Sequence, residues 1–358
     1  MTNRIDLSAE YAKVSEGNLE NEEMLIVVKS QNQIARRERM IDSKRKKRYG
    51  RFKPSPTNIG LLVNAMLKDG RVCVNWTREF REPRHIKKKA NGNYLLTEVN
   101  RLNEINISGE VLKSYEHPFF GYLHSVDVKA DGKHALLVSS GYDAIIEINL
   151  DTGNETWSWF AWDHGFNPSE DGTWYSISKN THSDWLSQGK SSILIDPREY
   201  GEQGVTTANR VAHPNSAIYE YSCGETSILA SLGHKGILAR ISMKDGSHEI
   251  MFDGLSNMAH GIFKNPGKRT CVTQTTRGEW LILNQNYEVE SIYNFSTLAG
   301  KVAGSEDSEW IQQVVPLNEN NAIAIDANRG IITLDILKKE YSIYDPDPNW
   351  CIQDALIV

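Results

Sequence analysis

Short apolar runs separated by turn signals recur along most of this chain. Residues 135–138 and 144–148 form one such pair, and the Asp-Thr-Gly turn at residues 151–153 follows them. Runs of four to six residues bounded by Gly, Asp and Asn are typical of β-strands connected by tight turns. The pattern therefore predicts an all-β protein.

The runs group into six repeats. Each repeat opens on a polar residue and continues as a short β run, a turn and a second β run, with a third and fourth run in most cases; the openings are His85, His124, His164, His213, His260 and Gln312. Successive openings are 39, 40, 49, 47 and 52 residues apart, which matches propeller blades and exceeds most helical solenoid repeats. The sequence thus predicts a six-bladed β-propeller of four-stranded blades over residues 57–358.

Residues 1–56 differ from the repeats and are predicted to form a short, charged and partly helical N-terminal extension. Apolar residues between positions 19 and 34 give a partial helical face, and basic runs follow at residues 36–39 and 44–48. Such a run can bind a phosphate-rich partner, but solvated charge is its more common state.

Net charge and hydropathy limit the classes of partner. The net charge of −6 over 358 residues gives no reason to expect nucleic acid or membrane partners. The chain opens without the apolar segment of a leader, and no stretch of it approaches 18 consecutive apolar residues. We therefore expect a cytoplasmic protein that acts on a small molecule.

The six opening residues carry the candidate chemistry. The first strand of each blade lines the central channel of a propeller, so these residues are expected to converge where ligands bind. One interpretation is that a repeat consensus places histidine there to bond neighbouring backbone. Alternatively, His124, His213 and His260 could bind a divalent or transition metal, or one imidazole could act as nucleophile or base. His85, His164 and Gln312 would then contact the substrate.

Further candidates lie after the second strands. Arg277 and Arg329 could present forked donors to a carboxylate, sulfate or phosphate, although turn-capping arginines are an equal alternative. Tyr142, His182 and His234 could form a wall or lid over the substrate. The alternative is that they only pack within their loops.

Several motifs resemble the arylsulfotransferase family of bacterial β-propellers. They are residues 143–149 with 151–153, Trp157-Ser158-Trp159, Asp163-His164, the His-x-Asn-Ser element at 213–216, and Ala259-His260. The resemblance spans about residues 120–290. It implies sulfuryl transfer between phenols through a covalently modified histidine, without a nucleotide donor.

The resemblance also implies roles for individual residues. It would make His260 the nucleophile, with His124, His213 and Asn215 stabilising the transferred group. The family's arginine after the Ser-Ser of the His-x-Asn-Ser blade is absent, because Ser231-Leu232-Gly233 stands there. Arg277 from the next blade is expected to replace it. The family is also typically exported, whereas this chain shows no leader.

Three functions remain open from the sequence. The first is a channel enzyme that performs lyase or cyclase chemistry, acid-base or metal-assisted, on a small aromatic metabolite. The second is arylsulfotransferase-like group transfer, and the third is a non-catalytic binding scaffold. The absent arginine and leader favour the first over the second.

Overall fold

The computed structural model describes residues 2–46, 50–222, 224–265 and 267–358. The first strands are β1 (Asn3–Asp6), β2 (Ala12–Lys13), β3 (Glu23–Val28), β4 (Ile59–Lys68), β5 (Arg71–Arg81), β6 (His85–Lys88), β7 (Tyr94–Thr97), β8 (Leu102–Ile105) and β9 (Val111–Tyr115). They are followed by β10 (Leu123–Val128), β11 (His134–Ser139), β12 (Ala144–Asn149), β13 (Glu155–Phe160), β14 (Trp174–Ser176), β15 (Ser192–Leu194), β16 (Pro214–Ser222), β17 (Glu225–Leu232), β18 (Ile237–Ser242) and β19 (His248–Asp253).

The remaining strands are β20 (His260–Lys264), β21 (Thr270–Gln274), β22 (Glu279–Leu283), β23 (Val289–Asn294), β24 (Ile311–Pro316), β25 (Asn321–Asp326), β26 (Gly330–Asp335), β27 (Glu340–Tyr344) and β28 (Ile352–Ile357). The α-helices are α1 (Leu7–Glu10), α2 (Gln33–Lys46), α3 (Lys179–Ser187) and α4 (Pro197–Tyr200), and short 3₁₀ turns occur at Ser140–Tyr142, Ala161–Asp163, Gly201–Gln203 and Thr207–Asn209. No helix within the described residues is long and apolar enough to cross a membrane.

The protein is mostly β and folds as a six-bladed β-propeller, which confirms the predicted fold class. Its chain divides into two compact units. The terminal unit comprises Met1–Lys47, Thr57–Ile86 and Gly254–Val358. The central unit comprises Arg48–Pro56 and Lys87–Asp253.

The terminal unit contains three blade sheets, two of which gain an extra strand from the N-terminus. Strands β20 to β23 form one antiparallel sheet, and β1 joins its β23 edge in parallel. Strands β24 to β27 form the next, with β2 parallel to β27. The third has the order β28-β3-β4-β5, so the last strand pairs with the third strand of the chain.

The N-terminal segment corrects two predictions. The apolar run expected to give a helix is strand β3, whose residues Met24 to Val28 are fully buried. A run of five apolar residues fits a buried strand as well as a helix, and the helix α2 begins only at Gln33. Because β1, β2 and β3 belong to blade sheets, residue 56 is not the boundary of a separate extension. Lys47 and Arg48, from the second basic run, lie outside the described residues.

The sheets β6 to β9, β10 to β13 and β16 to β19 follow in sequential order, and all of their residues except His85 and Ile86 belong to the central unit. The predicted repeat that opens on His164 is wrong as a blade. The segment between β13 and β16 instead carries α3, α4 and the two-stranded parallel sheet β14-β15. Its Asp171-Gly172 turn resembles the other repeats, but only three residues of strand follow it. The sixth blade is the sheet β28-β3-β4-β5 of the terminal unit.

Candidate functional site

Within the described residues, five of the strands that open a blade carry a β-bulge near the predicted site residues. The pairing register shifts across one residue in β10, β16, β20, β24 and β28, and the residues at the shift are His124, Asn215, Gly261, Gln312 and Gln353. A bulge re-aims a side chain and often stands beside a functional site. His124 therefore corresponds structurally to Asn215 and Gln312.

This register corrects the predicted equivalence of the histidines. His213 lies two residues before its bulge, as does Tyr122 in the preceding blade sheet, and both have a left-handed φ, at 50° and 46°. His260 lies only one residue before its bulge, at Gly261. In the sequence, His213 and His260 were aligned because both are histidines. The strand pairing shows that they differ by one residue in their distance from the bulge.

In the central unit, three histidines contact one another. The His213 ring meets the His124 ring edge-on, with centroids 5.6 Å apart, and stacks on His234 at 4.8 Å. His124 is half-buried, whereas His213 is fully buried. Burial is the main cause that lowers the pKa of His234. The predicted pair of His124 and His213 is thus brought together, and His234 packs against it.

Two charged residues complete what we call the His213 cluster: His124, His213, His234, Arg210 and Asp143. The Arg210 guanidinium lies 3.0 Å from His213 Nδ1, and since a guanidinium only donates, Nδ1 accepts and the ring proton is on Nε2. His234 Nδ1 donates to the Arg210 carbonyl at 3.0 Å. Arg210 was not predicted, because nothing in its local sequence distinguishes it from a loop arginine.

Asp143 anchors the turn that carries His213. The buried carboxylate accepts hydrogen bonds from the backbone N–H groups of Val211 at 2.7 Å and His213 at 2.6 Å. It also accepts from Ala212 N–H and from Trp162 Nε1. Asp143 lies in the motif that carried the family resemblance, but no role had been predicted for it. Its carboxylate explains how a buried histidine is held at positive φ.

The other predicted residues of the central unit make packing contacts. The Tyr142 hydroxyl donates to the Gly201 carbonyl at 2.5 Å, and burial raises the pKa of this phenol. His164 stacks on Trp159 at 5.4 Å. His182 lies on α3 with Nδ1 2.9 Å from Ser192 Oγ. These contacts favour the packing alternative for all three. Asn215 is buried at the bulge of β16.

In the terminal unit, His260 is buried at the start of β20. Its Nδ1 lies 2.9 Å from Thr275 Oγ1, and its ring centroid is 6.4 Å from that of Trp310. Gly261 follows at φ +55°, where a Cβ would come within 2.9 Å of Gln313, so the His-Gly sequence suits this bulge. Burial, followed by the positive charge of Arg36, lowers the pKa of His260 to about 3. The imidazole is therefore neutral at physiological pH.

Arg36 lies on helix α2, is 8% exposed, and acts on His260 through its charge. Its guanidinium donates to the Ile352 carbonyl at 3.3 Å and to Gln312 Oε1 at 2.5 Å, and it lies 5.9 Å from the Trp310 ring. Trp310 Nε1 donates to the same Gln312 oxygen at 3.0 Å. We call His260, Thr275, Arg36, Trp310 and Gln312 the Arg36–His260 site.

The charge of Arg36 is not neutralised. No carboxylate that the structure describes lies within ion-pair distance of its guanidinium, whose hydrogen-bond partners are an amide oxygen, a carbonyl oxygen and the Cys351 thiol. Arg84 and Lys29 add further positive charge that lowers the pKa of His260, although Arg84 is paired with Glu82 at 2.9 Å. A buried, uncompensated cation is costly unless an anion joins it. The site is therefore suited to an anionic ligand.

Predicted residues elsewhere in the terminal unit have other partners. Arg329 is buried and its Nη1 is paired with Asp326 at 2.6 Å and Glu309 at 3.2 Å, while its other nitrogens donate to backbone carbonyls. Its guanidinium is therefore engaged by groups of the protein, and the role of Arg329 in binding an anion stays a prediction. Arg277 is exposed and donates to the Gly254 carbonyl at 3.0 Å, which is the turn-capping alternative.

The last residues predicted from the sequence to form the site are His85 and the possible metal ligands. The His85 Nε2 atom lies 3.6 Å from Asp354 Oδ2, whose carboxylate also accepts from Ile86 N–H and Gln313 Nε2. Across the part of the chain that the structure describes, no three His, Cys, Asp or Glu side chains are grouped so that they could bind one metal ion. His124, His213 and His260 thus do not form the ligand set considered from the sequence.

Comparison with known proteins gives a family and a fold. The family model described as arylsulfotransferase (ASST) matches residues 64–252. The chain is similar to the crystal structure of a protein of unknown function from Bacteroides caccae, with 10% identity, a TM-score of 0.54, and coverage of 94% of this chain and 98% of that one. It is also similar to virginiamycin B lyase from Staphylococcus aureus, at 13% identity and a TM-score of 0.46 over 79% and 78% of the two chains. No curated protein matches it.

Proposed function

This chain belongs to the arylsulfotransferase family, and from that premise we propose that it transfers a sulfuryl group between phenolic compounds through a covalent intermediate on His260. The observation that carries the proposal is a neutral, buried imidazole whose pKa is lowered by the charge of a buried guanidinium, which has no carboxylate partner among the residues that the structure describes. A nucleophilic imidazole must be neutral, and a transferred sulfuryl group keeps negative charge on its oxygens.

The reaction follows from these two properties. A lone pair of the His260 ring attacks the sulfur of an aryl sulfate, the bond between sulfur and the phenolic oxygen breaks, and the phenolate leaves. Arg36 donates to the sulfuryl oxygens during transfer, and Thr275 orients the ring through Nδ1. A second phenol then attacks the sulfur and loses its proton to water, the bond between sulfur and the ring nitrogen breaks, and the neutral imidazole is regenerated.

The family match and the residue assignment support the proposal from different directions. The matched residues 64–252 include the His213 cluster and end before His260. The role of His260 therefore depends on the chemistry of the Arg36–His260 site, in which Arg36 takes the place expected for Arg277. This replacement accounts for the arginine that the His-x-Asn-Ser blade lacks.

The test is direct detection of the adduct. The full chain is incubated with 4-nitrophenyl sulfate, quenched at alkaline pH, and analysed by intact mass and peptide mapping. We expect a gain of one SO₃ group on the peptide that contains His260, and its loss when phenol is added as acceptor. His164→Ala, which removes a packed histidine, serves as the matched control for His260→Ala. An unchanged mass, or an adduct on another histidine, would overturn the proposal.

A second candidate is acid-base chemistry on a small aromatic metabolite at the His213 cluster. The observation that favours it is the half-buried His124 in edge-on contact with His213, whose protonation is fixed by Arg210. Under this candidate, turnover of a metabolite found in cell extract would require His124 and proceed without sulfate. Turnover that His124→Gln leaves unchanged would contradict it.

A further inference from the structure

His85 and Asp354 form a histidine–carboxylate pair in the terminal unit that the proposed reaction does not use. His85 Nε2 lies 3.6 Å from Asp354 Oδ2, and the two side chains are 12% and 4% exposed. A carboxylate at this distance stabilises the protonated imidazole, so it favours the uptake of a proton by the ring. A histidine held beside a buried carboxylate is the arrangement found in many general bases.

Hydrogen bonds from the protein fix the carboxylate of Asp354. Its Oδ1 accepts from Gln313 Nε2 at 2.6 Å and from Ala355 N–H at 2.9 Å, and its Oδ2 accepts from Ile86 N–H at 2.9 Å. Because Ile86 directly follows His85 in β6, one carboxylate bonds the backbone of this strand and also faces its histidine. The fold therefore sets the position of the carboxylate relative to the imidazole.

Hydrogen bonds also give the order of the inner strands. Val314 N–H of β24 donates to Thr273 Oγ1 in the sheet of β20. The bonds of Asp354, which lies in β28, connect that strand to β24 and to β6. The strands β20, β24, β28 and β6 therefore follow one another, and His85 begins the strand three blades from that of His260. In a six-bladed propeller, strands three blades apart face each other across the central channel.

Sulfuryl transfer requires a proton acceptor on that side of the channel. The attacking oxygen approaches sulfur in line with the bond that breaks, so a group that takes its proton must face His260. Arg84, which directly precedes His85, lowers the pKa of His260 through its charge, so this part of the chain is within electrostatic reach of the nucleophile. From the contact with Asp354 and the order of the strands, we propose that His85 is the general base that takes the proton of the acceptor phenol.

This inference rests on the proposed function and adds one step to it. As the acceptor oxygen bonds to sulfur, its O–H bond breaks and the proton moves to the imidazole of His85. The electron pair of the bond between sulfur and nitrogen returns to His260, and the acceptor leaves as an aryl sulfate. Asp354 stabilises the imidazolium until His85 passes the proton on to water. An acceptor that is already ionised has no such proton, so it does not need this base.

Two acceptors that differ in ionisation test this role. The donor is 4-nitrophenyl sulfate at a mildly alkaline pH, at which 4-nitrophenol is ionised and phenol is not. Mass spectrometry follows transfer to phenol as phenyl sulfate, and transfer to deuterated 4-nitrophenol as exchange of the label into the donor. We expect His85→Gln to slow transfer to phenol by about 10²-fold and to leave label exchange within about twofold of the parent.

A second histidine–aspartate pair provides the matched control. His134 Nδ1 lies 2.8 Å from Asp131 in an exposed turn, so His134→Gln should change neither rate. Asp354→Asn, measured on folded protein, should slow transfer to phenol by about tenfold and leave label exchange unchanged, because the imidazolium loses its counter-charge. Equal slowing of both reactions in this variant would overturn the role of the carboxylate.

The outcomes for His85→Gln separate this inference from the proposed function. If the parent forms the His260 adduct and exchanges the label, but His85→Gln slows both acceptors equally or neither of them, the role of His85 as a base is overturned and sulfuryl transfer by His260 stands. If the parent forms no adduct and exchanges no label, the proposed function is overturned, and this inference with it.

Discussion

The His213 cluster and the Arg36–His260 site use the same residue types in opposite electrostatic settings. In the His213 cluster the guanidinium of Arg210 is accompanied by the carboxylate of Asp143, and both influence the pKa of His234 in opposite directions. In the Arg36–His260 site the guanidinium contacts uncharged groups among the described residues: two oxygens, the Cys351 thiol and the Trp310 ring. The charges of the His213 cluster are balanced, and the cluster holds the backbone in place. The charge of the Arg36–His260 site is unbalanced and is therefore available to a ligand.

The largest expected effect tests which histidine performs chemistry. We expect His260→Ala to lower the rate of aryl sulfate turnover by about 10⁴-fold, the scale for loss of a catalytic nucleophile. His213→Ala should act mainly on stability, and His164→Ala should leave the rate within about threefold of the parent. Initial rates of nitrophenolate release, measured on variants with unchanged circular dichroism, check this. An equal loss of rate in a folded His213→Ala would break the distinction between the two sites.

The second effect concerns the balanced cluster. Asp143→Ala removes the acceptor of three backbone N–H groups and of the Trp162 indole N–H. We expect it to lower the free energy of unfolding by about 4 kcal/mol, because these donors stay buried. Urea denaturation followed by tryptophan fluorescence measures the change. Asp151→Ala, in an exposed turn of the same unit, is the control and should change the free energy by less than about 0.5 kcal/mol. A small effect of Asp143→Ala would contradict its anchoring role.

The third effect concerns the unbalanced guanidinium. We expect Arg36→Met to lower kcat by about 10²-fold, as for the loss of one donor to a developing anion. The same change should preserve the free energy of unfolding or raise it by about 1 kcal/mol, because a buried, unpaired charge is replaced by an apolar chain of similar length. Arg45→Met, on the exposed part of α2, should leave both quantities unchanged.

If Arg36→Met is both slower and more stable than the parent, Arg36 acts in the reaction and not in holding the fold. A purely structural Arg36 would give the opposite result, with lower stability and a rate that recovers once unfolded protein is accounted for. Steady-state kinetics and urea denaturation on the same preparations decide between them.

The sequence predicted the features that depend on local pattern. The apolar runs and turn signals predicted most of the β-strands, and the motif at residues 213–216 led to His213 and Asn215. The number of blades is also correct, although the repeat counted at His164 is not a blade and the sheet β28-β3-β4-β5 was not counted. The alignment of the repeats correctly predicted that His124 and His213 lie together, and their rings are in contact. These features follow from strand period and turn chemistry, which neighbouring residues determine.

Features that depend on distant pairing were missed. The sixth blade requires β28 to pair with β3, and no local signal shows which strand meets the chain end. The repeat at His164 had the right turn but lacked antiparallel partners. From the sequence, Arg36 was assigned to a solvated basic run. Its burial could not be predicted, because it depends on where helix α2 packs. An arginine at the apolar spacing of α2, one turn before Met40, was the only available hint.

The smallest effect is a pH dependence that further distinguishes the two sites. His260 has a pKa lowered to about 3 in the folded protein from 6.5, so between these values the unfolded chain binds a proton that the folded chain does not. Stability therefore falls as pH decreases through 6.5, and the loss from this residue is about 2 kcal/mol between pH 7 and pH 5. His260→Gln removes the titrating group, so its stability should fall by correspondingly less over the same range in urea denaturation. Parallel curves for the parent and His260→Gln would mean that His260 is not held neutral by burial and by Arg36, and the electrostatic contrast with the His213 cluster would then be lost.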